Sequence, residues 1–215
     1  MLNDVLFNND KSAYIDWHMA LTKVEIPLPN AKTSTIDIQG ADGVLDLSEA
    51  LTGDVVYDNR VVKLTFELLD LSSYYDLISE ISNYLHGRVV TFVLSKDDSY
   101  YYTGRASINS WECSKNKGKI VISVDCDPYK YEVDETKLMV SVSNETKTIS
   151  LFNSRKKVCP LLDVTGDITL TVGDYEYVLT KGTHQLLNFT LLEGLNKVTI
   201  SGDGTITICY RRGSL

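Results

Sequence analysis

Short stretches of alternating apolar and polar residues dominate this chain. In residues 62–68, Val, Leu, Phe and Leu occupy every second position, and Lys, Thr and Glu lie between them. A period of two is typical of a β-strand that buries one face. The same alternation recurs at 120–126, 168–172 and 206–210. Short strands separated by frequent turns predict a mainly β fold built from sandwiches or barrels.

Turn residues separate these stretches. Asn116-Lys117-Gly118, Gly173-Asp174 and Gly202-Asp203-Gly204 combine glycine with Asn or Asp, and we expect a turn at each of them. Asp97-Asp98-Ser99 has the composition of a hairpin turn. Asp125-Cys126-Asp127-Pro128 marks the end of a strand, because proline cannot donate to the ladder of hydrogen bonds.

One segment has a helical period instead. Between Ser73 and His86 the apolar residues fall on one face of an α-helix, at Leu77, Ile78, Ile81 and Leu85. Ser73 has the side chain of an N-cap, Asp76 suits the positive first turn, and Gly87 is a natural stop. The sequence therefore predicts a single substantial helix over about 73–86.

The distribution of charge indicates two domains. Residues 1–135 contain 12 Lys+Arg and 22 Asp+Glu, whereas residues 136–215 contain 9 and 7, so the net charges are −10 and +2. The junction, Glu132-Val133-Asp134-Glu135-Thr136-Lys137, is short and polar. We expect a first domain over 1–135 and a second, about 80 residues of strand pattern, over 136–215.

A long connection lies within the first domain. Gly40-Ala41-Asp42-Gly43-Val44-Leu45-Asp46-Leu47-Ser48 opens a stretch, running to Asn59, that is too long for a tight hairpin. Such connections are either functional arms or surface loops, and the residues alone do not choose between these two interpretations.

Composition excludes several classes of protein. The net charge of −8 and the pI near 4.9 argue against a nucleic-acid surface, which needs clustered cations. No apolar run approaches the roughly 20 residues of a membrane helix, and an acid stands where a signal peptide carries basic residues, so no signal peptide and no membrane partner are predicted. Cys113, Cys126, Cys159 and Cys209 lie far apart without metal-ligand spacing; we expect no metal and reduced cysteines, with a disulfide as the alternative.

Candidate catalytic chemistry is sparse. The histidines are His18, His86 and His184, and none has a neighbouring nucleophile motif; His86 ends the predicted helix, where a cation meets the negative pole of the dipole. Paired acids at 97–98 and 125–127 are better explained by turns than by a glycosidase. The sequence therefore predicts no catalytic, cofactor-binding or metal-binding residue, no cofactor, and a protein that is not an enzyme.

Tyrosine is the remaining enrichment. The chain has 13, among them Tyr74-Tyr75 and Tyr100-Tyr101-Tyr102. Clustered aromatic side chains can stack on sugars or fill protein interfaces. A carbohydrate-binding or adhesion module is therefore the alternative function to keep, although the second domain lacks tryptophan.

Several segments together resemble the distal tail protein family of siphophages and related prophages. In the first half the resemblance rests on 40–48 and on Val56-Tyr57-Asp58-Asn59-Arg60, Ile81-Ser82-Asn83-Tyr84-Leu85-His86-Gly87-Arg88, Tyr100-Tyr101-Tyr102-Thr103-Gly104-Arg105 and Asp125-Cys126-Asp127-Pro128-Tyr129-Lys130-Tyr131. In the second half it rests on Val164-Thr165-Gly166, Leu192-Glu193-Gly194-Leu195-Asn196 and Tyr210-Arg211-Arg212-Gly213-Ser214-Leu215. Asn153-Ser154-Arg155 departs from the family's Asn-x-Gly turn.

The resemblance implies a fold and a role. The first domain would be a tail-tube-like β-barrel or sandwich with one helix that forms a hexameric ring, and the second a galectin-like or jelly-roll sandwich outside the ring. The ring would act as a baseplate hub at the virion tail tip. There it would join the tail tube and tape-measure protein to the tail-associated or fibre protein, and also to a receptor-binding protein, while DNA passes through it. The family has no catalytic residue to carry over, and the protein would be made in the bacterial host cytoplasm.

Overall fold

The computed structural model describes residues 4–72, 74–115 and 117–215. Backbone contacts divide the chain into two compact units, Met1–Lys130 with Leu215, and Tyr131–Ser214. Each unit has its own buried core. The division falls slightly before the charged junction on which the sequence-based boundary at 135 was placed.

Strands account for most of both units. In chain order the elements are β1 (Val5–Phe7), β2 (Lys11–Ser12), β3 (Met19–Glu25), β4 (Thr35–Asp37), β5 (Val44–Asp46), β6 (Arg60–Leu68), α1 (Tyr74–Leu85), β7 (Val89–Leu94), β8 (Tyr100–Ser114), β9 (Lys117–Cys126), β10 (Lys130–Glu132), β11 (Thr136–Asn153), β12 (Leu161–Val164), β13 (Asp167–Val172), β14 (Tyr175–Leu179), β15 (Gly182–Gln185), β16 (Gly194–Tyr210) and β17 (Gly213–Ser214). The predicted mainly β fold class is confirmed.

The first unit is built on an antiparallel sheet in which neighbours follow the order β2-β1-β7-β8-β9-β6-β3. The alternation that predicted strands at 62–68 and 120–126 places Val62, Leu64 and Phe66 on the core face of β6, opposite the buried apolar face of β9. In a strand, alternate residues lie on the same face, so the extended conformation buries all the apolar side chains of each segment together.

The predicted helix is confirmed at Tyr74–Leu85. Its buried face contains Ile81 and Leu85, with Leu77 and Ile78 packed partly against the same core. Asp76 lies in the first turn, and Gly87 follows the last turn with φ +75°, a left-handed conformation that favours glycine. The proposed N-cap, Ser73, lies outside the described residues.

The second unit is organised by two long antiparallel strands, β11 and β16, which pair with each other although four strands lie between them in the chain. β11 pairs with β16 along its whole length, from Thr136 opposite Tyr210 to Asn153 opposite Gly194. On its other side β16 pairs with β13 along 199–203 and with β12 along 206–209. β14 extends the β13 half and β15 extends the β12 half.

The paired strands β11 and β16 both bend in the middle, so that their two halves belong to different layers. The register shifts between Ser143 and Glu145, and Asn144 adopts φ +50°. Opposite this bulge, Gly202 and Gly204 have φ +117° and +148°. Apolar side chains from both halves then share one buried cluster. The unit is therefore a β-sandwich whose layers are joined through two continuous strands.

The bend is closely packed. A Cβ on Gly166 would lie 2.2 Å from the carbonyl oxygen of Asp203, and a Cβ on Gly202 would lie 2.2 Å from that of Asp167. The segment Val164-Thr165-Gly166 thus requires glycine because two backbones approach closely there.

One turn prediction was wrong: Gly202-Asp203-Gly204 lies inside β16 at the bend instead of ending a strand. The turn predicted at Asn116-Lys117-Gly118 falls where β8 leads into β9, with Ser114 opposite Lys117, and Asn116 lies outside the described residues. Gly118 itself belongs to β9, where its missing side chain leaves room for Leu68 and Leu71. In both places glycine permits close approach within a sheet. The turns at Gly173-Asp174 and Asp97-Asp98-Ser99 are confirmed, because each lies between paired strands.

None of the helices in the described ranges is long and apolar enough to span a membrane.

Candidate functional site

The three histidines lie in separate places and have local partners. Nδ1 of His86 accepts the backbone N–H of Ile108 at 3.1 Å. The ring therefore completes the hydrogen bonding of β8 beside its bulge, so His86 has a local structural role. His184 contacts the carbonyl oxygen of Thr180 at 2.7 Å in the second unit.

His18 lies beside a group of acids, with Asp16, Asp70, Asp76 and Glu80 around a shallow depression. Two of these carboxylates accept hydrogen bonds from neighbouring segments. Asp16 accepts one from the backbone N–H of Ser12 at 2.7 Å, and Glu80 accepts one from Nε1–H of the buried Trp17 at 3.0 Å. The backbone N–H of Ser72 lowers the pKa of Asp70. Within the described ranges, no three His, Cys, Asp or Glu side chains are arranged to hold a metal ion.

The paired acids also have structural roles. Asp97, in the turn between β7 and β8, forms an ion pair with Lys130 at 2.7 Å. β9 ends at Cys126, immediately before Asp127-Pro128, as predicted. Turn and strand-end chemistry therefore explains both pairs.

The clustered tyrosines and the cysteine thiols contribute to packing. Tyr102 is buried and stacks on Phe92 with ring centroids 5.1 Å apart, while Tyr74 and Tyr75 meet edge to face. All four cysteines are free thiols, and burial raises the pKa of Cys126 to about 12. A thiol held in its protonated form is a weak nucleophile.

The most distinctive surface is the connection between β3 and β6, which we call the arm (residues 26–59); it contains the long connection predicted at 40–59. Its base is closed by backbone hydrogen bonds from Lys32 N–H to the Val56 carbonyl oxygen and from Asp58 N–H to the Asn30 carbonyl oxygen, both 2.8 Å. Where the β4–β5 hairpin meets the rest of the arm, Ser48 donates to Asp46 from both its hydroxyl, at 2.5 Å, and its backbone N–H, at 2.8 Å, and these bonds lower the pKa of Asp46. The arm is thus an ordered structure.

The tip of the arm is a two-stranded hairpin with different faces. β4 and β5 pair Ile36 with Leu45 and Asp37 with Val44. Because residues alternate between faces along a strand, Ile36, Ile38 and Leu45 share one face, and each is about half exposed. Asp37 lies on the other face. A two-stranded hairpin with an exposed apolar face is at best marginally stable in water.

An open sheet edge lies elsewhere in the same unit. β3 is the last strand in the order of the sheet, and it pairs only with β6 among the described strands. Beside it is a groove of about 370 Å³ whose apolar lining includes Leu21, Val24 and Leu94 and whose cations are Lys23 and Lys96. An unpaired strand edge beside an apolar groove is a surface that a further strand or hairpin can cover.

Charge separates the arm from the groove. The arm carries six carboxylates and one lysine, whereas the charged residues that line the groove are Lys23, Lys96 and Asp4. Lys23 is ion-paired at 2.9 Å with Glu25, and this contact lowers the pKa of Glu25. Lys96 is exposed and forms no ion pair within the described ranges. The sequence located the arm, but it did not indicate the groove, whose walls come from segments about 70 residues apart.

Comparison with solved structures finds the same fold in a phage protein. The chain matches the crystal structure of SPP1 Dit (gp 19.1), a protein described as a paradigm of the hub adsorption apparatus of phages that infect Gram-positive bacteria. The TM-score is 0.69 at 14% sequence identity, and the match covers 98% of this chain and 99% of the other. No protein-family model matches the sequence, and no curated protein matches it. The likeness therefore establishes the fold.

Proposed function

We propose that this protein is a structural hub subunit of the tail tip of a long-tailed phage. The observation that carries the proposal is the likeness to SPP1 Dit over nearly the full length of both chains. Both units are included in that likeness, so it is not a match to a single common sandwich. Fold alone does not dictate function. Here, however, the surface features favour assembly over catalysis, because the acids and histidines serve local structure and the arm exposes apolar side chains.

In this proposal the first unit forms a hexameric ring that joins the tail tube and tape-measure protein to the tail-associated or fibre protein. The second unit lies outside the ring and is free to engage a receptor-binding protein. DNA passes through the ring as cargo. The first 135 residues have a net charge of −10, and acidic walls hold a polyanion weakly, whereas cationic walls would bind its phosphates.

The central test is the assembly state of the full chain. Multi-angle light scattering at micromolar concentration, with the protein alone and after mixing with tail-tube and fibre proteins, should reveal a closed oligomer of six copies. Electron micrographs of the same samples should show rings. A strict monomer under both conditions would contradict the ring.

The arm offers a variant for that test. Replacing both Ile36 and Leu45 with Ser removes apolar side chains that are about half exposed in the single chain, so folding should be unchanged. If the arm joins copies, the ring should dissociate. Replacing the exposed Leu187 and Leu195 of the second unit in the same way is the matched control.

Glycan binding is the second candidate function, and one feature favours it. Tyr175 is 62% exposed on β14 and stacks on Tyr177 at 6.5 Å, which is an arrangement suited to sugar rings. Binding on a glycan array that is lost in Tyr175→Ala would support this function. Absence of binding by the full chain would remove it.

A further inference from the structure

We propose that Arg60 is the centre of a binding site for a small oxyanion, of the carboxylate or phosphate type, in the first unit. The proposal goes beyond the proposed hub function and does not depend on the assembly state of the protein. It is argued from the burial of the guanidinium, from the edge of the guanidinium that has no hydrogen-bond partner, and from the charges of the neighbouring side chains.

Arg60 is buried in a place where its charge needs compensation. It is the first residue of β6, directly after the arm, and only 3% of it is exposed. Its guanidinium lies over the ring of Tyr102, 5.3 Å from the centroid. An aromatic face attracts a cation, but it does not replace the hydrogen bonds that a guanidinium makes in water. Arginine side chains that are fully buried are as a rule paired with an acidic group.

The unpartnered atoms indicate the class of ligand. Nε and Nη2 of Arg60 are buried, and neither has a hydrogen-bond partner among the described residues. These two nitrogens form one edge of the planar guanidinium, on which the two N–H bonds run side by side. That edge binds two oxygens of one carboxylate or phosphate at the same time, whereas a single carbonyl oxygen cannot lie along both N–H bonds. The geometry therefore favours an anion with two oxygens.

The neighbouring side chains carry an excess of positive charge. Nζ of Lys130 lies 4.2 Å from the ring centroid of Tyr100, and Tyr100 and Tyr102 share one face of β8 because they are two residues apart. Burial raises the pKa of Tyr102, and the charges of Lys130 and Arg60 oppose that rise, so both cations act on the same phenol. The carboxylate of Asp97 pairs with Lys130 at 2.7 Å. It leaves the charge of Arg60 without a counterpart in this group of side chains.

The thiol opposite Arg60 does not supply the negative charge. Cys126 pairs with Arg60 across β6 and β9, and burial raises the pKa of its thiol to about 12. The guanidinium favours the thiolate, but burial outweighs this effect. Cys126 is therefore neutral at physiological pH, and an anion from outside the chain is the compensation that the chemistry of Arg60 requires.

An anion can reach this group of side chains from solvent. The side chains of Lys130 and Asp97 are 21% and 33% exposed, so the group extends to the surface on their side. The guanidinium is already removed from water, so little further dehydration of the protein opposes binding. A fixed and dehydrated donor pair binds more tightly than a flexible, hydrated one.

Anion titrations of the full chain test the site. Inorganic phosphate and acetate, each added in Tris chloride buffer at constant ionic strength, should raise the melting temperature in a saturable way. Tryptophan fluorescence reports this transition for the first unit, because Trp17 and Trp111 both belong to it. Phosphorus NMR should show the bound phosphate directly. The anion with the larger effect identifies the site as one of the phosphate type or of the carboxylate type.

Substitutions connect the binding to the guanidinium. Arg60→Met keeps the length of the side chain and removes every donor, so it should weaken anion binding by about a hundredfold or more through the loss of two charge-assisted hydrogen bonds. Arg60→Lys keeps the charge without the paired N–H edge and should lose about tenfold. Arg88→Met changes an exposed arginine of the same unit and is the matched control, with no change expected.

Stability without oxyanions gives a second measurement. In Tris chloride alone, Arg60→Met should melt at the same temperature as the unmodified chain or higher, because it removes a buried charge that has no partner. A clear fall, or a variant that does not fold by circular dichroism, would show that neutral groups already satisfy the guanidinium, and the proposal would be wrong.

Two results of the titrations would also overturn the proposal. One is the absence of any saturable effect of phosphate and acetate on the unmodified chain. The other is an equal effect on Arg60→Met, which would mean that the anions act on the general surface of the protein. The hub function is judged separately by the formation of rings, so either proposal can fail while the other stands.

Discussion

The bend of the second unit makes a quantitative prediction about Gly166. Alanine at this position would place its Cβ 2.2 Å from the carbonyl oxygen of Asp203 and 3.0 Å from Cα of Gly204. Both neighbours are backbone, so neither can move without moving a strand. Ordinary van der Waals contact begins near 3.4 Å, and the two backbones must therefore separate by roughly 1 Å.

That separation breaks specific hydrogen bonds. Thr165 N–H donates to the Thr205 carbonyl oxygen at 3.0 Å, and Thr205 N–H donates to Thr165 Oγ1 at 3.0 Å. Losing both costs about 2 kcal/mol, and the strain of overpacking adds about 1–3 kcal/mol. We expect Gly166→Ala to lower the free energy of unfolding of the second unit by about 3–5 kcal/mol. For a domain of this size the melting temperature should fall by about 15–30 °C.

The two tryptophans provide the assay. Trp17 and Trp111 both lie in the first unit. Differential scanning calorimetry and far-ultraviolet circular dichroism should report the lower transition in Gly166→Ala, while the melting curve followed by tryptophan fluorescence should stay in place. If the fluorescence transition falls equally, the two units unfold together.

The matched control is Gly173→Ala. A Cβ there meets no atom within 4 Å, but φ is +58°. The cost should be about 1–2 kcal/mol, that of placing alanine in the left-handed region. If both alanine variants lose the same stability, close approach at the bend is not what requires glycine at Gly166, and the steric reasoning fails.

Three further outcomes follow from the cores and their buried groups. Ile81→Asp should unfold the first unit, because it buries an unpaired charge at a cost of several kcal/mol, and an unchanged thermal transition would show that this helix face is misassigned. Burial raises the pKa of Cys126 from 9.0 to about 12, so between these pH values the thiol keeps its proton in the folded state and loses it in the unfolded state. The free energy of unfolding should therefore fall as the pH rises through this interval. Urea unfolding measured at several pH values in the interval should show a smaller decline for Cys126→Val. Asn153→Asp should cost roughly 3 kcal/mol in chemical denaturation, since the buried amide donates to the carbonyl oxygens of Lys156 and Leu191, whereas Ser154→Asp nearby should be neutral.

The sequence predicted the elements whose signal is local. The strands at 62–68 and 120–126 and the helix that contains Ile81 alternate or repeat with the period of their own structure, and burial confirms each of them. The arm was predicted as a long connection, but β4 and β5 were not predicted. All of their residues are exposed, so no alternation of buried and exposed positions marks them.

Features that depend on distant segments could not be predicted. Glycine is found both in turns and at strand positions where two backbones approach closely, and the local sequence does not distinguish the two. Gly202 and Gly204 therefore predicted a turn where the structure has a bend within β16. The groove brings Leu21 of β3 close to Leu94 of β7, although three strands separate β3 from β7 in the sheet, so only the curl of the sheet brings them together. The segment Asn153-Ser154-Arg155 departs from the expected Asn-x-Gly turn at Arg155, whereas the buried amide of Asn153 donates to the carbonyl oxygens of Lys156 and Leu191, which the sequence did not indicate.

The pairing of β11 with β16 also places the start and the end of the second unit side by side. Thr136 lies opposite Tyr210, and Glu132 N–H donates to the carbonyl oxygen of Arg212 at 3.1 Å. A domain whose two ends are adjacent can be inserted into a host chain, or removed from it, without moving apart the host residues on either side of the insertion.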